Sequence, residues 1–360
     1  MTMAPPAAPV GRRNSRRPDI AFEGVLPLTY ARPISLLELR DTLFVLAEGI
    51  RHTLGDRSLA DRLAVAVTVL GIEGHPMYAA GQPSVAELLG AARAAKGWLL
   101  PMLAPEQRAA FSLPTVAESS GAPPGWAQAA LAAVERAELA LGDKAREPLR
   151  ARMHGLYVII DPQATNRHDP LDIAEAALEG GARMLQLRDK ARDKGDSLPL
   201  ARNLVELCRR YDAVSIINDH VDLAVASRAD GVHVGQHDLP ILDARRVLSP
   251  FQAVGNSNAT FEEGVASAKA GPDYVAVGDI YGSSSKSNTR PAGLETLQRV
   301  RAAVTAPIVA IGGINASNVA AVVQAGADAV CVISAVAGAA DPRAAARELV
   351  AKIKLAGGKP

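Results

Sequence analysis

Cysteine occurs only twice, at Cys208 and Cys331, and aromatic residues make up 4% of the 360 residues. Both cysteines stand in apolar or helical surroundings with neither a CxxC nor a Cys/His spacing. That argues against a disulfide framework or a zinc site and fits a reducing, cytoplasmic compartment. An excess of one charge is missing as well: 39 basic against 38 acidic residues leave a net charge of +1. No global field therefore exists to hold nucleic acid or an anionic membrane, and any anion site has to be local. No apolar run reaches the roughly 18–20 residues of a membrane span, because Asp, Arg, Gly or Pro interrupts each one, so a soluble chain acting on small molecules is expected. Absent too are a GxSxG elbow, an HExxH pair, a Walker lysine loop and a lone cysteine in a nucleophile's setting. What is present, 48% hydrophobic and 21% charged residues, is enough to bury an ordinary core without disulfides or metals.

Residues 1–20 (MTMAPPAAPVGRRNSRRPDI) are rich in Pro, Ala and Arg and lack the apolar stretch of a secretory signal. They read as a disordered tail, although an Arg-rich, acid-poor start is also the composition of an organelle transit peptide. From 21 to 150 the pattern is all-α. Ser35 with Glu38, Ser58 with Asp61 and Ser84 with Glu87 each have the spacing of a capping box ahead of an apolar-periodic run, and a further helix begins near Trp126 after the Pro- and Gly-rich stretch 112–125. Leu36, Leu39, Leu43 and Leu46 recur at helical spacing, a stripe that faces other helices or covers apolar surface of a neighbouring domain.

Past residue 150 the texture changes to short β-rich runs alternating with amphipathic stretches. The runs are GLYVIID from 155, RMLQLRD from 183, AVSIIND from 213, GVHVG from 231, QAVGNS from 252, DYVAVGD from 273, PIVAIGG from 307 and AVCVIS from 329. Eight β/α units over 151–360 predict an α/β fold, a (β/α)8 TIM barrel preceded by an all-α region. The alternative is an open doubly wound sheet. It usually has fewer strands and a Gly-rich turn after the first, where this chain has DPQATNRHD.

In such a barrel the active site lies at the C-terminal ends of the strands, and here those ends are polar. Strand two ends in Gln186, Arg188 and Lys190, strand three in Asn218 and Asp219, and strand four in Gln236 and Asp238. Strand five ends in Asn256, Ser257 and Asn258, and strand six runs into a hydroxyl-rich loop with Lys286 and Arg290. Gly312 and Gly313 after strand seven, with Ile333 and Ser334 after strand eight, would let backbone N–H groups approach a phosphate, or the glycines would merely turn the chain. Asp219 and Asp238 among Arg188, Lys190 and Lys286 suit a hard divalent ion, naturally Mg2+, bridging carboxylates to a polyphosphate. Either carboxylate alone serves equally as a helix cap or ion-pair partner. A metal pair of His233 and His237 is disfavoured for want of a third nitrogen or sulfur ligand, and His220 is either a proton donor or a solvated surface residue.

At these residues the sequence resembles thiamine phosphate synthase, over about 155–353. The resemblance is carried by QLRDK (186–190), IINDHVDLA (216–224), DGVHVGQHDLP (230–240), VGNSN (254–258), DYVAVGDIYGSSSK (273–286), VAIGGI (309–314) and VISAV (332–336). It implies a transferase of thiamine biosynthesis that joins a hydroxymethylpyrimidine diphosphate to a thiazole phosphate and releases pyrophosphate. It further implies that Gln186, Arg188, Lys190 and Asn218 grip the pyrimidine diphosphate and that Asp219 and Asp238 hold magnesium. Ser257 would stand near the pyrophosphate and pyrimidine, Ser283, Ser285 and Lys286 would close over the substrates, and Gly313, Ile333 and Ser334 would take the thiazole phosphate. Lys190, Ser257 and Lys286 are the residues expected to act in catalysis.

The chain departs from the family's pattern at Ala259, where a histidine is usual, and at Asp279, Gly282, Ser283 and Ser285, where prolines and threonines are usual. Serine keeps the hydroxyls, and loss of prolines should make the loop more flexible. The helical region resembles extensions that some members carry. It is read as a packing or dimerisation module, compatible with a homo-oligomer, rather than a second enzyme, since it holds no phosphate loop or convergent acidic pair. The competing functions are a thiazole tautomerase, which needs a proton shuttle but no diphosphate site, and a catalytically silent thiamine-phosphate binding module.

Overall fold

The structure, a computed structural model, describes residues 36–70, 82–103, 125–165, 168–282 and 291–360. The tail 1–20 and the strand-six loop residues Ser283, Ser285, Lys286 and Arg290 lie outside the described residues.

Four helices come first: α1 (Leu36–Thr53), α2 (Arg57–Val69), α3 (Val85–Leu103) and α4 (Trp126–Arg150). The capping box at α3 forms, with the Ser84 N–H donating to Glu87 at 2.7 Å and the Glu87 N–H to Ser84 Oγ at 3.3 Å. At α2 the expectation is corrected: the cap is Asp56, whose carboxylate accepts from the Leu59 N–H at 2.9 Å, so Ser58 already lies inside the helix. Leu39, Leu43 and Leu46 are fully buried in one cluster with Leu63, Leu88, Leu99, Val134 and Leu141. The leucine stripe therefore packs on the other helices. It does not cover the barrel, whose contribution to that cluster is the flanking Phe251.

Eight parallel strands follow: β1 (Gly155–Ile160), β2 (Met184–Leu187), β3 (Val214–Asn218), β4 (Gly231–Val234), β5 (Ala253–Asn258), β6 (Tyr274–Val277), β7 (Ile308–Ile311) and β8 (Ala329–Val332). Each pairs with the next and β8 pairs with β1, closing the barrel. Helices alternate with them, among them α5 (Pro170–Glu179), α6 (Lys194–Arg210), α7 (Val221–Ser227), α8 (Ile241–Val247), α9 (Phe261–Lys269), α10 (Gly293–Ala303), α11 (Val319–Gln324), α12 (Ser334–Ala337) and α13 (Pro342–Leu355). The two-residue period of a strand sends Tyr157 and Ile159 into the barrel with Met184, Ile216, Tyr274, Val309 and Cys331. Leu156, Val158 and Ile160 meet the helices outside. Gly255 makes room for an interior ring: a Cβ there would lie 1.9 Å from the Tyr274 side chain.

The last turns of α4 leave the helical cluster and dock under the barrel. Asp273, fully buried just before β6, accepts from Arg146 Nε at 2.9 Å, Arg150 Nη1 at 3.1 Å, Arg245, and the Val254 N–H at 2.8 Å. Burial alone would raise its pKa, but Arg245 and Arg146 outweigh it and hold the carboxyl below the ordinary aspartate value. Breaking such a pair by removing one partner costs about 3–5 kcal/mol, because charges are left buried alone.

Candidate active site

The C-terminal ends of the strands surround an open cleft of about 590 Å³. It is lined by Arg188, Lys190, Asn218, Asp219, Asp238, Ser257, Gly313, Ile333 and Ser334, which are all the described residues expected at the site except Gln186. Gln186 is 2% exposed and lies beneath the cleft, where its amide donates to Tyr157 Oη at 2.7 Å. A buried amide needs a partner, and the phenol supplies one.

Arg188 and Lys190 leave β2 toward the cleft and are held by different carboxylates. Arg188 is paired with Asp161, a buried residue immediately after β1, which fixes the direction of the guanidinium. Lys190 Nζ lies 3.1 Å from Asp219 Oδ2. Asp219 has a left-handed backbone (φ 61°), and its N–H donates to the His233 carbonyl at 2.7 Å, tying the end of β3 to β4. Its carboxyl neighbours that of Asp238, whose Oδ2 accepts from the Gly235 N–H at 2.7 Å. Burial raises the Asp219 pKa, Lys190 opposes the rise and Asp238 adds to it.

Two neighbouring carboxylates repel unless a proton or a cation lies between them. The donor set, two oxygen ligands open to a cleft, fits Mg2+, which takes one or two carboxylates and completes its shell with phosphate oxygens and water. Among the described residues no group of three or more His, Cys, Asp or Glu is gathered for a metal. His233 is no partner of His237 in such a site, since both its ring nitrogens are engaged, Nδ1 with Tyr274 Oη at 2.9 Å and Nε2 with Ser257 Oγ at 2.7 Å.

Across the cleft, Gly312 (φ 108°) and Gly313 (φ 64°) form the turn after β7. Besides that conformation, space demands glycine: a Cβ on Gly312 would lie 1.7 Å from Asp279 Oδ1, and one on Gly313 2.3 Å from the Gly282 carbonyl. Ile333 caps the four-residue α12, and exposed Ser334 is its first residue. Part of the polar texture of β5 is scaffolding. Asn256 and Asn258 are buried, their Oδ1 atoms both lie 2.6 Å from Ser267 Oγ, whose single proton they share, and Gln236 Nε2 donates to the Ser257 carbonyl at 2.6 Å.

Four residues at the site escaped the sequence reading: Asp161, Tyr157, Tyr274 and Asp279. The last appeared only as a departure from a pattern. It is 4% exposed, and among the described residues its two buried carboxylate oxygens meet no hydrogen-bond partner.

Comparison with known proteins agrees with this fold. The thiamine monophosphate synthase family model matches residues 156–336, leaving α1–α4 outside it. The thiamine-phosphate synthase of Moorella thermoacetica is 45% identical over 57% of this chain and 98% of its own length. That of a Roseiflexus species is 46% identical over 55% of this chain and 84% of its own. Among solved structures, a thiamine phosphate pyrophosphorylase from Pyrococcus furiosus superposes with a TM-score of 0.54 at 37% identity, covering 58% of this chain and all of that one.

Proposed function

The chain belongs to the thiamine monophosphate synthase family, and we propose that its cleft joins 4-amino-2-methyl-5-(diphosphooxymethyl)pyrimidine to 4-methyl-5-(2-phosphoethyl)thiazole, or its carboxylated form. The products are thiamine monophosphate and pyrophosphate. The observation that carries this reading is the two-sided cleft: Arg188, Lys190 and the Asp219–Asp238 pair on one wall, the Gly312–Gly313 turn and Ser334 on the other. Two phosphorylated rings need two anion sites separated by a place where they can meet.

Arg188, directed by Asp161, and Lys190 grip the diphosphate, with Asn218 beside them. Asp219 and Asp238 would hold Mg2+, which when bound supplies positive charge to the leaving pyrophosphate. The C–O bond at the pyrimidine methylene breaks with its electron pair going to pyrophosphate, and the resulting cation is delocalised through the ring amino group. Lys190 and Lys286 stabilise the charge that grows on the leaving group, which is where binding helps turnover most. The thiazole nitrogen then forms the C–N bond with its own lone pair and has no proton to lose, so no general base is required. Gly313, Ile333 and Ser334 hold the thiazole phosphate, Ser283 and Ser285 close over the pair, and the fixed separation of the two anion sites supplies proximity.

On the same reading, residues 151–360 are the synthase domain and residues 21–150 a helical packing or dimerisation domain without a part in the chemistry. A reducing cytoplasm would keep Cys208 and Cys331, both buried and neither in a disulfide, as thiols. Incubating the protein with both substrates and magnesium tests the proposal. Thiamine monophosphate and pyrophosphate should appear in equal amounts, and a folded protein that yields neither overturns it.

A further inference from the structure

Five polar side chains cross the barrel interior in an unbroken line. Gln186 Nε2 lies 2.7 Å from Tyr157 Oη, which lies 3.3 Å from Tyr274 Oη. That phenol lies 2.9 Å from His233 Nδ1, and His233 Nε2 lies 2.7 Å from Ser257 Oγ. The line draws on β2, β1, β6, β4 and β5 in turn, starts at buried Gln186, and ends on a hydroxyl that lines the cleft.

Its direction follows from the chemistry of its members. The Gln186 amide nitrogen can only donate, so the Tyr157 oxygen accepts and its own proton goes on to Tyr274. Burial pushes both phenols well above the ordinary tyrosine value, so both keep their protons. Tyr274, already accepting, donates to His233 Nδ1. The imidazole then carries its proton on Nε2 and donates it to Ser257 Oγ. With the ring N–H directed at that oxygen, the Ser257 proton has to point away from the imidazole, toward the cleft.

We propose that Gln186, Tyr157, Tyr274 and His233 are positioning residues that make Ser257 a hydrogen-bond donor to the pyrimidine diphosphate. The arrangement is the reverse of a serine activated by a histidine base, in which the hydroxyl gives its proton to the ring. The inference rests on the synthase reading for the identity of the acceptor but not for the direction of the line. Gly255 belongs to the device, because any side chain there would displace the Tyr274 ring.

Two measurements test it. The nitrogen-15 spectrum of His233 in the substrate-free protein should show a neutral ring protonated at Nε2, with the Nδ1 signal moving when Tyr274→Phe removes its donor. In turnover, Ser257→Ala should lower kcat about 100-fold, as loss of a donor to developing negative charge does. Tyr274→Phe and His233→Leu should each lower kcat about tenfold with KM nearly unchanged, and His233→Gln, which restores an N–H, should recover most of the loss. In the Ser257→Ala background neither substitution should cost anything more. A ring protonated at Nδ1, or losses that multiply undiminished in that background, overturns the proposal. A wild type that holds the Nε2–H form but makes no thiamine phosphate overturns the synthase reading and supports the direction of the line.

Discussion

Asp273 and Asp279 stand just outside the two ends of β6, both more than nine-tenths buried, and their surroundings differ completely. Asp273, under the barrel, has three arginines and a backbone N–H. Asp279, at the mouth, has no partner among the described residues for either carboxylate oxygen. A buried carboxylate without donors is costly, and one with a full set is a rivet. One strand thus carries a fully satisfied end below and an unsatisfied end at the cleft, in line with the division that barrels of this type make between their lower and upper faces.

The sharpest way to break that division is Asp273→Ala. It leaves Arg146 and Arg245 buried without their carboxylate and should cost about 3–5 kcal/mol in urea unfolding, while the protein that remains folded keeps its rate. An unchanged midpoint would show that the lower end is not structural. At the mouth the balance reverses. Asp219→Ala or Asp238→Ala should lower kcat/KM by about 100-fold or more, with only partial rescue by excess magnesium. Neither should destabilise the protein in the same urea titration, because burial and Asp238 already work against an ionised Asp219.

Acid should expose the contrast through pH alone. Asp273 has its folded pKa depressed, so its contribution is fully present above the ordinary aspartate value of 3.8 and is lost as pH falls through the folded value. The stability gap between wild type and Asp273→Asn, followed by denaturation at a series of pH values, should be flat near neutrality and shrink below pH 3.8. A chain beginning at Ala151 should still form the cleft but lose Arg146 and Arg150, two of the three guanidinium partners of Asp273, and so melt below the full-length protein. The smallest effect expected is a gain. Asp279→Asn replaces a buried carboxyl that no described donor satisfies and should stabilise the protein by about 1 kcal/mol in the same urea titration, where an unchanged or lower midpoint would show that the carboxyl is not a cost.

Much of this arrangement is legible in the chain. Alternation of short β-rich runs with amphipathic stretches places all eight strands, and Arg188, Lys190, Asn218, Asp219, Asp238, Ser257 and Ser334, which end them, do meet in one cleft. What periodicity cannot say is which face meets which. The leucines from Leu39 to Leu46 declare a buried stripe, but only tertiary packing decides that helices rather than the barrel cover it. At α2, Asp56 and Ser58 are both cap-forming residue types two apart, and local pattern does not choose between them. Tyr157 and Tyr274 read as ordinary strand interior, and their contact, like that of Gln186 with Tyr157, depends on strands brought together by closure.

That closure has a temporal side. Helices α1–α4 pack chiefly on one another and precede every strand in the chain, so they can be complete while the barrel is still being synthesised. α4 then passes after a few residues into β1, whose outer edge finds its partner only in β8. Throughout translation the growing sheet keeps two open edges, on β1 and on the newest strand, and both are templates for pairing with another chain. A nascent chain stalled before Ala329 should therefore carry a folded helical head on a sticky, unclosed sheet. Arrival of the last strand, rather than of any active-site residue, is the event that turns the ribosome's product into a protein safe from its own copies.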